Sequence, residues 1–144
     1  MASSYQMTRV VEFCETDMAG IAHFSNFYIW MEQAEHQFFR SCGLSIVRHE
    51  PDGSTIGWPR VSAQCRFESP ARYEDLLDIQ LTVQRIGTRS LTFDFVFRCG
   101  DRVIARGMLK TVCCRVFPGQ PLQSFDIPSD YTSRIEEYRE TASE

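Results

Sequence analysis

The chain is 144 residues long, 43% hydrophobic and carries a formal net charge of −4 from 15 basic and 19 acidic residues. That length suits one domain, which at this size buries roughly 68–70% of its unfolded surface without a metal or disulfide staple. No block of like charge stands out, which argues against a nucleic-acid partner and a polybasic membrane patch, and no apolar run approaches the ~20 residues of a membrane span.

The first element in chain order is a strand over residues 7–13, with Met7, Arg9, Val11 and Phe13 on one side and Thr8, Val10 and Glu12 on the other. It ends at the polar, glycine-containing break Glu15-Thr16-Asp17-Met18-Ala19-Gly20. From Ser25 the period changes: Phe27, Trp30, Met31, Ala34, Phe38 and Phe39 recur every three or four residues, with Glu32, Glu35, His36 and Arg40 on the remaining surface. Ser25 or Asn26 would cap this helix and Gly43 would stop it. Its apolar content predicts a central, buried helix. Glu32 and Glu35 are expected on its polar or interface side, and His36 and His49 facing solvent.

Past a loop through Pro51-Asp52-Gly53-Ser54, four strands follow: Arg60 to Phe67, then Leu77 to Val83, Leu91 to Phe97 and a long one from Val103 to Phe117. Short turns at Gly87-Thr88 and Gly100-Asp101 have hairpin spacing, so the sheet should be antiparallel. A short helix over residues 129–139 closes the chain, capped by Ser129 or Asp130 after Pro128. One sheet covered by one apolar helix is an α+β layer arrangement, and the whole chain, 1–144, reads as a single domain. Val96, Val112 and Cys114 alternate against Phe95, Phe97 and Cys113, so both sheet faces carry apolar residues, and association into a homo-oligomer would cover the second one.

The six cysteines include no C-x-x-C pair, and the start MASSYQMTRVVEF lacks the basic and apolar segments of a signal peptide. Both point to a cytoplasmic protein with reduced, buried or half-buried thiols and no zinc site. The chemistry concentrates where an acidic residue, a glycine turn and the start of an apolar helix meet, in VEFCETDMAGIAHFSNFYIW from Val11 to Trp30. First-turn N–H groups of a helix lack internal partners and can polarise a carbonyl oxygen, and a nearby Asp17 could attack that carbonyl or activate water. An aspartate beside a glycine turn is, by itself, better explained as a turn cap and nothing more.

The segment FCETDMAGIAHFSNF resembles the active-site motif of hotdog-fold acyl-CoA thioesterases of the 4-hydroxybenzoyl-CoA thioesterase family. WMEQAE, GLS, WPRVSAQCRFESPARYED, RVFPGQPL and IPSDY resemble the same family in the same order along nearly the whole chain. The resemblance implies a hotdog fold, an antiparallel sheet wrapped around one long central helix, assembled as a dimer or a tetramer of two dimers with sites at subunit interfaces. It implies hydrolysis of a small, possibly aromatic, acyl-CoA, with no cofactor beyond the coenzyme A that the substrate carries. It puts Asp17 on the catalytic carboxylate, and Gly20 through Phe24 on the turn whose amides polarise the thioester. His23 stands where the 4-hydroxybenzoyl-specific members have a large aromatic residue, and could assist Asp17 or pack at the pocket wall. Trp58 and Pro59 fall on the acyl pocket, and Arg89, Arg85 and Arg60 on the rim that would take the nucleotide. A hydratase or dehydratase acting on acyl thioesters, or a non-catalytic acyl-CoA binding protein on the same fold, are the competing functions.

Overall fold

A computed structural model describes residues 4–138. Long β-branched and aromatic runs form a five-stranded antiparallel sheet in the order β1-β5-β6-β7-β4. Its strands are β1 (Tyr5–Val10), β4 (Arg60–Phe67), β5 (Leu76–Ile86), β6 (Ser90–Cys99) and β7 (Arg102–Val112). Helix α1 (Ser25–Ser41) lies on one face. Its aromatic stripe follows strand β6 from end to end. The Phe27 ring lies 5.2 Å from that of Phe97, and Phe38 and Phe39 lie 6.0 and 6.1 Å from that of Phe93. Each such ring withdrawn from water contributes roughly 1.5–3 kcal/mol, so this seam is the main adhesive of the fold.

The helix ends as its sequence predicts. Gly43 adopts φ +72°, its N–H reaches Arg40 O at 2.9 Å, and the Leu44 N–H reaches Phe39 O at 2.8 Å. That is a Schellman closure, which needs glycine for its left-handed residue. The start differs from expectation. Phe24 occupies the cap position with no side-chain cap bond, while the Ser25 hydroxyl turns to His23 and the Asn26 amide donates to Glu15 O.

Other departures have local causes. Strand β1 runs from Tyr5 to Val10 and excludes Phe13, because the Glu15 carboxylate accepts the Glu12 N–H at 2.8 Å and curls residues 13–15 into a 3-10 turn. The predicted Val103–Phe117 strand is broken at Cys113. Its N–H goes to Arg89 O and its carbonyl accepts from Phe125 N, so Cys114–Val116 becomes β8 of a second sheet. That sheet, ordered β2 (Arg48–His49), β3 (Thr55–Gly57), β8, β9 (Gln123–Ser124), was not foreseen. The C-terminal helix α2 spans Ser129–Ile135 and passes into a 3-10 turn at Glu136–Tyr138, while the predicted end at residue 139 lies outside the described residues. Pro128 occupies its cap position with no side-chain cap bond, and Ser129 and Asp130 fall inside the helix.

The second sheet face is polar, contrary to the alternation argument. Thr82, Asp94, Gln80, Arg98 and Lys110 surround the half-buried Val96 and Met108 on it. Cys14, expected at least half-buried, is exposed, and all six thiols are free. No helix among the described residues is long and apolar enough to cross a membrane.

Helix and sheet approach closely at Gly107 on β7. A Cβ there would overlap the Met31 sulfur and sit 3.3 Å from Gln64 O, and Met31 is wholly buried. Gly107→Ala should therefore lower stability by about 1–3 kcal/mol in chemical denaturation, with Met31→Ala in the same chain recovering part of the loss relative to the sum of the single changes.

Candidate active site

Glu15 organises the segment between β1 and α1. Its carboxylate accepts from Arg9 Nη2 at 2.7 Å, from Trp30 Nε1 at 2.9 Å and from the Glu12 amide, and its carbonyl accepts from the His23 amide and from Asn26 Nδ2 at 2.8 Å each. Arg9 also donates to Gln33 Oε1 at 2.7 Å and stacks 5.0 Å from the Trp30 ring. A strand residue, two helix side chains and the entry turn thus converge on one residue. Sequence reading missed it, although Glu three residues after Glu12 is a capping-box spacing.

From this anchor the chain makes a closed turn at Asp17. The Asp17 N–H donates to Ile21 O, the Gly20 N–H donates to Asp17 O, both at 3.0 Å, and Asp17 Oδ1 accepts the Ala19 N–H at 2.8 Å. Gly20 takes φ +77°, which a side chain would resist, and nothing lies within 4 Å of where a Cβ would sit. Beyond the turn, Ala22 N–H donates to Ala71 O at 2.7 Å, tying the helix entry to the loop after β4.

Asp17 borders two grooves. One, of about 590 Å³, is walled by Ile21, Ala22, Phe24, Phe27, Phe67, Pro70 and Ala71, with Glu68 and Arg72 also on its lining. The other, of about 560 Å³, runs between Phe13, Cys14, Met18, Gly20 and Tyr73. The carboxylate is exposed between them. Of the five amides from Gly20 to Phe24, three already serve backbone carbonyls: Gly20, Ala22 and His23. Among the described residues, those of Ile21 and Phe24 have no acceptor, and both residues line the larger groove with Asp17. Two backbone donors without an acceptor thus belong to residues on the same lining as the carboxylate.

The family model of the Thioesterase superfamily matches residues 19–106. The chain is 31% identical over 140 residues to a 4-hydroxybenzoyl-CoA thioesterase of Pseudomonas sp. strain CBS-3, covering 91% of this chain and 96% of that one. The chain belongs to the thioesterase superfamily. It is accordingly a thioester hydrolase with the hotdog fold of its structural neighbours. A gentisyl-coenzyme A thioesterase superposes with a TM-score of 0.76 at 29% identity, over 90% of this chain and 98% of that one. A 1,4-dihydroxy-2-naphthoyl-CoA thioesterase from Synechocystis superposes at 0.82 and 22% identity, over 92% and 96% of the two chains.

The remaining sequence-predicted residues of this thioesterase scatter. His23 lines neither groove. Its Nδ1 lies 2.7 Å from Ser25 Oγ and accepts the Ser25 N–H at 3.3 Å, which puts the neutral ring's proton on Nε2 and makes the side chain a brace for the helix start. Trp58 is buried 5.8 Å from the Phe39 ring and 5.6 Å from that of Tyr131. Phe39 is twelve residues along α1 from Phe27, about 18 Å, so within one chain Trp58 and its neighbour Pro59 stand at the far end of the helix from Asp17. Arg89 is held by Asp126 at 2.7 Å and Ser124 at 3.0 Å, whereas exposed Arg85 has no partner among the described residues.

Arg60 is held within the chain. Its Nη1 lies 2.8 Å from both oxygens of Glu35, although only Oε1 accepts in good geometry, leaving Oε2 buried without a hydrogen bond. Glu35 is wholly buried, which corrects its expected polar-face position, and His36 is half-buried with Glu32 3.7 Å from its Nε2. Burial pushes the Glu35 carboxyl up from 4.5 to about 7 against the pull of Arg60, and Glu32 pushes the same way. Burial likewise lowers the His36 ring below its ordinary value. Among the described residues, no group of three or more His, Cys, Asp and Glu side chains could hold a metal ion.

An acid whose folded value is raised binds its proton more tightly in the folded state. Its contribution to stability is full below pH 4.5 and is lost as pH rises through about 7. Denaturation of the wild type across that window should show a loss on the order of 3 kcal/mol that is absent in Glu35→Gln, where the group no longer titrates. A pH slope unchanged by the substitution would assign the effect elsewhere.

Proposed function

We propose that the protein hydrolyses a small aromatic acyl-CoA to the free acid and coenzyme A at Asp17. The observation that carries the reading is a carboxylate on the wall of an apolar groove, together with the two amides there, of Ile21 and Phe24, that have no acceptor among the described residues. Developing charge on a thioester oxygen would fall on those N–H groups, and one donor of this kind typically lowers a barrier by ~2.7–4 kcal/mol. Asp17 acts on the carbonyl carbon, either directly as nucleophile or by taking a proton from the attacking water. The C–S bond breaks, the thiolate of coenzyme A leaves and is protonated, and water supplies the oxygen of the acid. The reaction needs no other cofactor.

Aromatic substrates are supported by two features. Phe24, Phe27 and Phe67 wall the groove, with Phe27 and Phe67 edge to face at 5.1 Å, an arrangement that would receive another ring. The relatives, too, are named for aromatic acyl groups. Thiol release from a panel of aryl and alkyl acyl-CoA esters tests the reading. Aryl esters should be preferred, and Asp17→Asn should lower kcat by roughly 10²–10⁴-fold. Unchanged thiol release in that variant would refute the assignment, while a hydrated product without free thiol would indicate a hydratase.

Assembly belongs to the same proposal. Strand β4 is a sheet edge with Val61 exposed, and pairing two such edges would continue the sheet into a dimer and give Trp58 and Pro59 a route to a partner's site. Native mass spectrometry at micromolar concentration should show a dimer or a tetramer. A stable monomer would sink this part.

A further inference from the structure

A thioester that carries phosphate needs a cation, and a chain of net charge −4 offers no general positive field. Two of the three arginines expected at the rim are engaged elsewhere, Arg60 by Glu35 and Arg89 by Asp126. Arg72 is differently placed. It lines the larger groove with Asp17, is exposed, and its guanidinium has no hydrogen bond or ion pair among the described residues. It is also the only basic residue on that lining.

Two acids near it, Asp75 and Glu68, are engaged by other groups, and Asp17 on the same lining forms no ion pair with it among the described residues. Asp75 Oδ2 accepts the Arg72 backbone N–H at 2.8 Å and lies 3.6 Å from Arg102, and Glu68, also on the groove, lies 3.2 Å from Arg106. The backbone beneath Arg72 is held on both sides. Ala71 O accepts from Ala22, the Asp75 N–H returns to Arg72 O at 3.0 Å, and Glu74, the one non-glycine residue at positive φ among those described, donates to Val11 O at 2.9 Å. A left-handed glutamate costs of order 1 kcal/mol or more and persists only where its surroundings impose it. The result is a guanidinium with no partner among the described residues, on a hydrogen-bonded turn that lines an apolar groove.

We propose that Arg72 anchors the phosphate end of the substrate's phosphopantetheine arm, with the arm lying along the Pro70–Ala71 side of the groove, opposite the rings that would receive the acyl group, and its thioester at Asp17. Guanidinium matches phosphate through paired N–H donors, and the apolar walls suit the methyl and methylene groups of the arm. The inference rests on the reading of Asp17 as the reacting carboxylate.

The test compares benzoyl-CoA with the N-acetylcysteamine thioester of benzoate, which lacks the phosphates, on wild type, Arg72→Ala and Arg72→Lys. A parallel calorimetric titration follows free coenzyme A. Loss of a charge-assisted contact should raise KM for benzoyl-CoA about 10- to 100-fold in Arg72→Ala, with kcat nearly unchanged, and weaken coenzyme A binding comparably. Arg72→Lys should recover part of both, and the truncated ester should respond equally to all three proteins. Unchanged KM and coenzyme A affinity overturn the proposal, as does an equal rise in KM for both esters. If the wild type releases thiol from neither ester, the hydrolytic reading fails, and the coenzyme A titration still decides Arg72.

Discussion

The carboxylate of Glu15 is the contact on which the candidate site depends. It is largely shielded from water and gathers Arg9 from the sheet, Trp30 from the helix and the Glu12 amide from the turn. Hydrogen bonds to a charged group are worth about 1.5–3 kcal/mol each, and removing their common acceptor would leave the donors stranded together. The Asp17 turn inherits its position from that hub, because the His23 amide and the Asn26 side chain both close on the Glu15 carbonyl. The Asp17 carboxylate is thereby free of structural duty beyond one bond from Ala19.

The same division of labour runs along helix α1. Its N-terminal half faces Phe97 and presents the entry turn to the grooves, while its C-terminal half packs on Phe93, Trp58 and Tyr131. Between them sits a polar interruption, Glu35 on Arg60. A buried ion pair is a weak source of stability, since desolvation offsets most of its attraction. One of its oxygens, Glu35 Oε2, is left buried without a hydrogen bond.

The groove walls come from segments distant in sequence. The Asp17–Phe24 segment supplies one side and the Phe67–Arg72 loop the other, joined by the Ala22–Ala71 bond. The second loop is itself secured by Ser69 Oγ on Val103 O and by Arg102 on Pro70 O, at 2.6 Å each. Both sides of the groove are thus tied to their surroundings as well as to each other.

Periodicity in the sequence was enough to determine α1, its Gly43 stop, the exact span of β4, the hairpins and the antiparallel sheet, because each follows from spacing within a few residues. The segment around Asp17 stood out for the same reason, since carboxylate, glycine turn and helix start are neighbours in the chain, but its reading as a site rested on the resemblance to a known family. What only tertiary structure decided involves partners far apart. Glu35 reads as polar surface until Arg60, 25 residues later, closes over it. Arg89 reads as a free cation until Asp126 takes it, and Arg72 reads as an ordinary loop residue until Ala71 is stitched to Ala22. A charged side chain's role is set by which opposite charge reaches it and by how much water remains, and neither quantity is local in sequence.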